Sequence, residues 1–228
     1  MSLNAQFLLA LLRLPNGVWM PEKAVSETYL VLSNGIHDEL GQAHREGLVM
    51  YLEGSFIIPE KNRLQLVLKC LEEGVSVETV CKAAGWREFE DLVQTVLEAN
   101  NYRTKKHFRF RHQGRGNEID ILALRQPWSL SVECKRWKKS WQPSTLRKIA
   151  DVQIEKTRGL ASIFPSLSSK LPSHVGKDLK LIPVVLILSR IPTVIHSGVP
   201  FVSICQLQNF LEQFEGYAED LVEIKVLQ

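Results

Sequence analysis

Long apolar runs are missing from this sequence. Its longest unbroken aliphatic stretch is Val184 to Leu188, or Leu181 to Leu188 if Pro183 is admitted. Either falls far short of the roughly 20 residues that cross a membrane, so no membrane association is expected. The N-terminus also lacks a charged head, a clean apolar core and a small-residue cleavage site. It therefore reads as no secretory signal, and a cytoplasmic location is expected. The four cysteines (70, 81, 134 and 205) form no Cys-x-x-Cys pair, and the six histidines are scattered. A structural zinc needs closely spaced ligands, so none is expected, and buried free thiols in a reducing compartment fit better.

Acids are scarce in the middle of the chain. Residues 101–150 hold only Glu118, Asp120 and Glu133 against thirteen Lys and Arg, a net +10 in a chain whose total is +3, which leaves −7 elsewhere. Such asymmetry points to a polyanionic partner. Lys105, Lys106, Arg109, Arg111, Arg115, Arg136, Lys138 and Lys139 are the candidate nucleic-acid contacts. Charge alone equally allows a solvated basic face. Trp128, Trp137 and Trp141 stand beside these groups, either as packing or as platforms for unpaired bases.

With 228 residues, 45% of them hydrophobic and 23% charged, the chain has room for two globular domains. We expect them at 1–85 and 86–228. Leu3 to Leu14 has helical apolar spacing and stops at Pro15-Asn16-Gly17. Pro21 suits the first turn of a second helix, and Ser33 or Asn34 the cap of a third. Leu48 to Leu52, Glu53-Gly54 and Phe56 to Ile58 read as a hairpin. Three helices followed by a hairpin form a winged-helix-like domain. Its third helix sets only His37, His44 and Arg45 against Asp38, Glu39 and Glu46, which is poor for phosphate contact, so a protein partner is as open as DNA. Two further short helices, Leu64 to Leu71 and Ser76 to Ala84, lead to the second domain.

From Arg87 the order is helix, strands, helix, strand, strand, helix, which predicts an α/β sandwich around a mixed sheet. Phe89, Leu92, Val93, Val96 and Leu97 stripe the first helix, and Thr145 to Phe164, capped by Ser144, forms the next. Leu181 to Leu188 reads as a buried strand and Val199 to Ile204 as the last. Within this frame, Asn117 to Leu124 and Ser129 to Arg136 flank a turn at Gln126-Pro127. An antiparallel hairpin centred there pairs residues whose numbers sum to about 253. Alternation then puts Glu118, Asp120, Glu133 and Lys135 on one face, and Ile119, Ile121, Val132 and Cys134 on the other. Neighbouring carboxylates repel unless a cation joins them, and Mg2+ (or Mn2+) prefers such hard oxygens. Phosphate hydrolysis uses an ion of this kind. A surface hairpin with ordinary cross-strand ion pairs is the alternative.

An acid on one strand and Glu-x-Lys on the next resembles the PD-(D/E)XK nuclease superfamily, and most closely the Mrr-like restriction endonucleases and the archaeal Holliday-junction resolvase relatives. Phe89-Glu90 on the opening helix and the basic Tyr102 to Gly116 stretch belong to the same resemblance. It implies a restriction-endonuclease-like fold over about residues 86–215, metal ligation by Asp120 and Glu133, and a catalytic Lys135. It also implies that Glu90 completes the acidic pocket and that Gln153 on the following helix lies near it. Ile119 stands where the signature has proline, and Glu118 precedes it, so both Glu118 and Asp120 are candidate ligands, with Asp120 favoured. The implied activity is a metal-dependent DNA endonuclease, with a homodimer as the form the resemblance suggests. The alternative is an idle DNA-binding scaffold.

Overall fold

The computed structural model describes residues 4–28, 35–135, 142–170, 179–188 and 192–226. The chain divides into two compact units, Met1–Leu92 and Val93–Gln228.

In the first unit α1 (Ala5–Arg13) starts where the Asn4 side chain accepts the Gln6 N–H, a common N-cap arrangement. It is followed by β1 (Met20–Pro21), α2 (Lys23–Thr28), α3 (Ile36–Arg45), β2 (Met50–Leu52) and β3 (Ser55–Ile57). The expected hairpin is β2–β3, and β1, absent from the sequence reading, joins its other side to give the order β1-β3-β2. Two residues of Met-Pro are too short to show strand periodicity, which is why β1 was not anticipated. The expected caps Ser33 and Asn34 lie outside the described residues. Next come α4 (Arg63–Glu72), α5 (Val77–Ala84) and α6 (Trp86–Ala99). The division between units falls inside α6, whereas the expected boundary lies at that helix's start.

Arg63 holds the first unit together. It is 7% exposed. Its guanidinium donates to Glu88 Oε1 (3.1 Å) and to the carbonyls of Leu12 (2.8 Å), Leu14 (3.0 Å) and Ala84 (2.9 Å). The carbonyls that end α1 and α5 are thus satisfied by one side chain, as helix C-termini require.

The second unit is a seven-stranded mixed sheet. Its strands are β4 (Arg103–His112), β5 (Arg115–Leu124), β6 (Trp128–Lys135), β7 (Lys180–Ile187), β8 (Val194–His196) and β9 (Val199–Ser203), in the order β4-β5-β6-β7-β9-β8; the short β10 (Ile224–Lys225) also pairs with β7. Pairs β4/β5, β5/β6 and β8/β9 are antiparallel, while β6/β7 and β7/β9 are parallel. Residues 181–187 of β7 are all buried, as its unbroken aliphatic run predicts. The helix α7 (Pro143–Ile163) packs across this sheet. Leu146, Ala150 and Ile154 meet Val185 and Ile187, and Leu160 and Ala161 meet Phe108, Phe110, Ile119 and Leu122. Its cap is Gln142, with Pro143 at the first helical position, and not Ser144. Proline is preorganised for that position and needs no N–H partner there. The helices α8 (Leu207–Glu212) and α9 (Phe214–Tyr217) take the place of the single terminal helix expected over Leu207 to Phe214. Among the described residues no helix is long and apolar enough to cross a membrane.

Candidate active site

The β5–β6 hairpin has the anticipated register. Ile121 pairs with Val132, Leu122 with Ser131 and Ala123 with Leu130. The ladder stops there. Beyond it Asp120 turns its carboxylate into the strand gap, and its Oδ2 accepts the Cys134 N–H at 2.7 Å. Strand β6 continues alongside β7 instead, with Glu133 opposite Val185 and Lys135 opposite Ile187. The two strands fork at the acids.

Alternation also slips at this point. Lys106 pairs with Ile121 and Phe108 with Ile119, but the intervening His107 has a left-handed backbone (φ +49°), a conformation that marks local distortion in a strand. Ile119 and Leu122, three residues apart, consequently join one core cluster against α7. The expected grouping of Ile119 with Ile121, Val132 and Cys134 is corrected accordingly. Glu118 next to Ile119 turns away from α7. Arg109 Nε donates to its Oε2 at 2.6 Å, and His107 Nδ1 lies 3.2 Å from its Oε1. The Arg109 hydrogen bond leads in holding the Glu118 carboxyl below its usual range.

The three-carboxylate face expected from strict alternation is thus replaced by a two-carboxylate site. Among the described residues no group of three His, Cys, Asp or Glu is placed to hold a metal ion. Asp120 is pushed above the ordinary aspartate range, first by burial and then by the charge of Glu133. Glu133 is 8% exposed. Its Oε1 receives Lys135 Nζ at 2.5 Å and its Oε2 receives Lys156 Nζ at 2.8 Å. Two hard-oxygen side chains with a mutually repelling charge suit Mg2+, which is commonly held by one or two carboxylates while keeping several waters.

Helix α7 fixes this arrangement from one side. Gln153, 1% exposed, donates to the Ser131 carbonyl at 2.7 Å, and Thr157 Oγ1 donates to Ser131 Oγ at 3.0 Å. Gln153 Oε1 is buried and has no hydrogen-bond partner. Gln153 thus supports β6 two residues before Glu133. Lys156 was missed by the sequence reading. Its signal was its position three residues after Gln153, which puts both on one helix face. Glu90 is 4% exposed on α6 and belongs to the first unit.

Of the basic candidates, Lys105, Arg109, Arg111 and Arg115 are exposed and Lys106 is half-buried. Phe108 and Phe110 of β4 pack towards α7, so Arg109 and Arg111 present the opposite face, beside a surface depression also lined by Gly116, Asn117 and Glu118. Lys105 lies over the Phe108 ring at 5.4 Å. Arg136, Lys138, Lys139, Trp137 and Trp141 fall outside the described residues. Trp128 serves packing: its Nε1 donates to Glu223 at 2.8 Å and its ring sits 5.6 Å from that of Phe214.

Residues 81–169 match the family model of the Mrr catalytic domain, described as a restriction endonuclease. An uncharacterised protein of Archaeoglobus fulgidus is 32% identical over 133 residues, covering 58% of this chain and 93% of that protein. The crystal structure of protein VC1899 from Vibrio cholerae aligns with 95% of this chain at a TM-score of 0.42 and 12% identity, and this chain spans 50% of its length.

Proposed function

On the premise that this chain belongs to the PD-(D/E)XK-like nucleases, through an Mrr-type restriction-endonuclease catalytic domain over part of its length, we propose that it hydrolyses DNA phosphodiester bonds with Mg2+ or Mn2+. The observation that carries this reading is the fork of β5 and β6, which sets Asp120 against Glu133 with Lys135 on the same strand edge. Asp120 and Glu133 would hold the ion, which supplies charge stabilisation at the phosphate and a more acidic bound water. Glu133 is oriented by its two lysines, and Asp120 by the Cys134 N–H. Lys135, with its side chain 38% exposed, is the group able to reach a phosphate and neutralise the charge that develops in the transition state. Glu118 is assigned to the basic ribbon and not to the ion. Glu90, which the resemblance implies for the acidic pocket, lies in the first unit. Gln153 is a positioning residue acting through Ser131.

The test is cleavage of supercoiled, linear and branched DNA with Mg2+ and with Mn2+. Wild type is expected to cut, and Asp120→Asn is expected to lose both cleavage and the thermal stabilisation that metal gives by mass action. Wild type that binds these DNAs without cutting any of them would establish the idle scaffold instead. Without metal, burial and then the charge of Glu133 push the Asp120 carboxyl up from the usual aspartate range, so binding of Mg2+ or Mn2+ is expected to weaken on acidification. The carboxylate must be ionised to serve as a ligand.

DNA contact is assigned to the β4–β5 ribbon together with Arg136, Lys138 and Lys139. Reversing Lys105, Lys106 and Arg109 is expected to flatten the dependence of DNA affinity on salt, because each lost phosphate contact releases about one counterion fewer. Reversing the exposed Lys23 and Lys61 of the first unit should change that slope less. An equal effect from both sets overturns the assignment. We read the first unit as winged-helix-like, contacting DNA or protein, and the working form as a homodimer that cuts both strands; sedimentation with and without DNA tests the latter.

A further inference from the structure

The nuclease reading gives Lys156 no part beyond orienting Glu133, yet this side chain is held in a defined place. Gln153 and Thr157, on either side of it along α7, are both tied to Ser131. The reach of Lys156 is thereby fixed onto Glu133, where its Nζ meets Oε2 at 2.8 Å. The contact is sheltered, with the Lys156 side chain 24% exposed and that of Glu133 11%. Lys135 occupies the other oxygen of the same carboxylate. The site therefore carries two carboxylates and two ammonium groups, and is already neutral.

The two lysines differ. Lys135 comes from the strand that bears Glu133 and is the more exposed. Lys156 comes from the helix across from it. Its Nζ lies on the Glu133 oxygen that Lys135 leaves free, in the more sheltered of the two contacts. A cation held by Glu133 would compete with it for that oxygen.

We propose that Lys156 is a built-in counter-ion, whose ammonium holds the cation position beside Glu133 until a divalent ion displaces it, so that this lysine sets how tightly the site takes metal. The inference rests on Asp120 and Glu133 being the metal-holding pair. An incoming ion meets a neutral site and must break the Lys156–Glu133 contact, so it binds more weakly than it would to two bare carboxylates. Without metal the same contact spares Glu133 from lying buried with only one partner.

The test is titration of the full chain with Mn2+ in the absence of DNA, read by calorimetry and by the paramagnetic resonance signal of free Mn2+. Lys156→Met and Lys156→Gln are expected to bind Mn2+ about tenfold more tightly than wild type, because a competing positive charge has gone. Arg158→Met removes a charge from the exposed face of the same helix and should stay within about twofold, since solvent and salt screen it. Lys156→Met is further expected to melt below wild type without metal and to recover more of its midpoint when Mn2+ is added. If Lys156→Met fails to fold, Lys156→Gln decides, because its amide still donates to Glu133. Unchanged or weaker Mn2+ affinity in the folded variants overturns the proposal and leaves Lys156 as a prop for Glu133. Failure of every form to bind Mn2+ overturns it too. The nuclease reading is judged separately by wild-type DNA cleavage, so an active enzyme whose Lys156 variants bind no better sinks this inference alone.

Discussion

Lys135→Ala is expected to lower DNA cleavage by about two to three orders of magnitude, as removal of a transition-state donor does elsewhere, while leaving metal and DNA binding in place. Lys135 lies beyond the fork on β6, paired with Ile187. Its backbone is thus carried by a central parallel pair while its amine reaches the edge of the site. In the resting site the amine rests on Glu133 Oε1. Loss of that contact leaves Glu133 still bound by Lys156 through Oε2, so the acid does not become an uncompensated buried charge. With Mg2+ saturating, the loss should therefore appear in the rate and not in DNA affinity. Single-turnover cleavage with saturating Mg2+, beside a DNA-binding isotherm in Ca2+, separates the two. Equal cleavage by wild type and variant would mean that the chemistry lies elsewhere. Cys134→Ala is the control. It deletes a buried thiol on the same strand, so it should cost some stability through lost packing and leave the chemistry intact.

The largest effect on stability is expected from Arg63→Met, at about 3–5 kcal/mol, the usual cost of removing one partner of a buried ion pair. The variant leaves Glu88, 8% exposed, without its guanidinium. It also strips the carbonyls of Leu12, Leu14 and Ala84 of their donor. Lysine should rescue little, since one ammonium cannot span the fork of a guanidinium that serves four acceptors in different directions. Adding Glu88→Gln to Arg63→Met should recover part of the loss by removing the unpaired charge. Urea unfolding followed by tryptophan emission measures all three. A loss below about 1 kcal/mol, the level of an exposed pair, would show that water replaces the guanidinium without penalty.

These residues also mark what the sequence makes legible. Gln126-Pro127 at a turn between two alternating runs was enough for the hairpin register, because a two-residue period admits few alternatives once one face is apolar. The aliphatic run of β7 was equally plain. Four features were not legible, each for a physical reason. The slip at His107 and Asp120 has no glycine to announce it, and a single distorted residue moved Glu118 to the other face. Lys156 looked like any helix lysine until α7 was set against β6. Arg63 was indistinguishable from a surface arginine, because the carbonyls that fix it come from residues up to 51 positions away. The fork itself arises from a side-chain hydrogen bond to Cys134, and strand periodicity does not encode such a bond.

Strand β4 closes one end of the sheet, and five of its ten residues are Lys or Arg. An open strand edge is a template for continuing the sheet into another molecule, and basic side chains are a common means of discouraging this. Two copies meeting along β4 would set Arg103, Lys105, Lys106, Arg109 and Arg111 against the same residues of the other copy, like charge opposite like. Among the described residues the far end offers only the three of β8, too few to carry an assembly by themselves. Self-association by extension of this sheet is thus disfavoured at both ends.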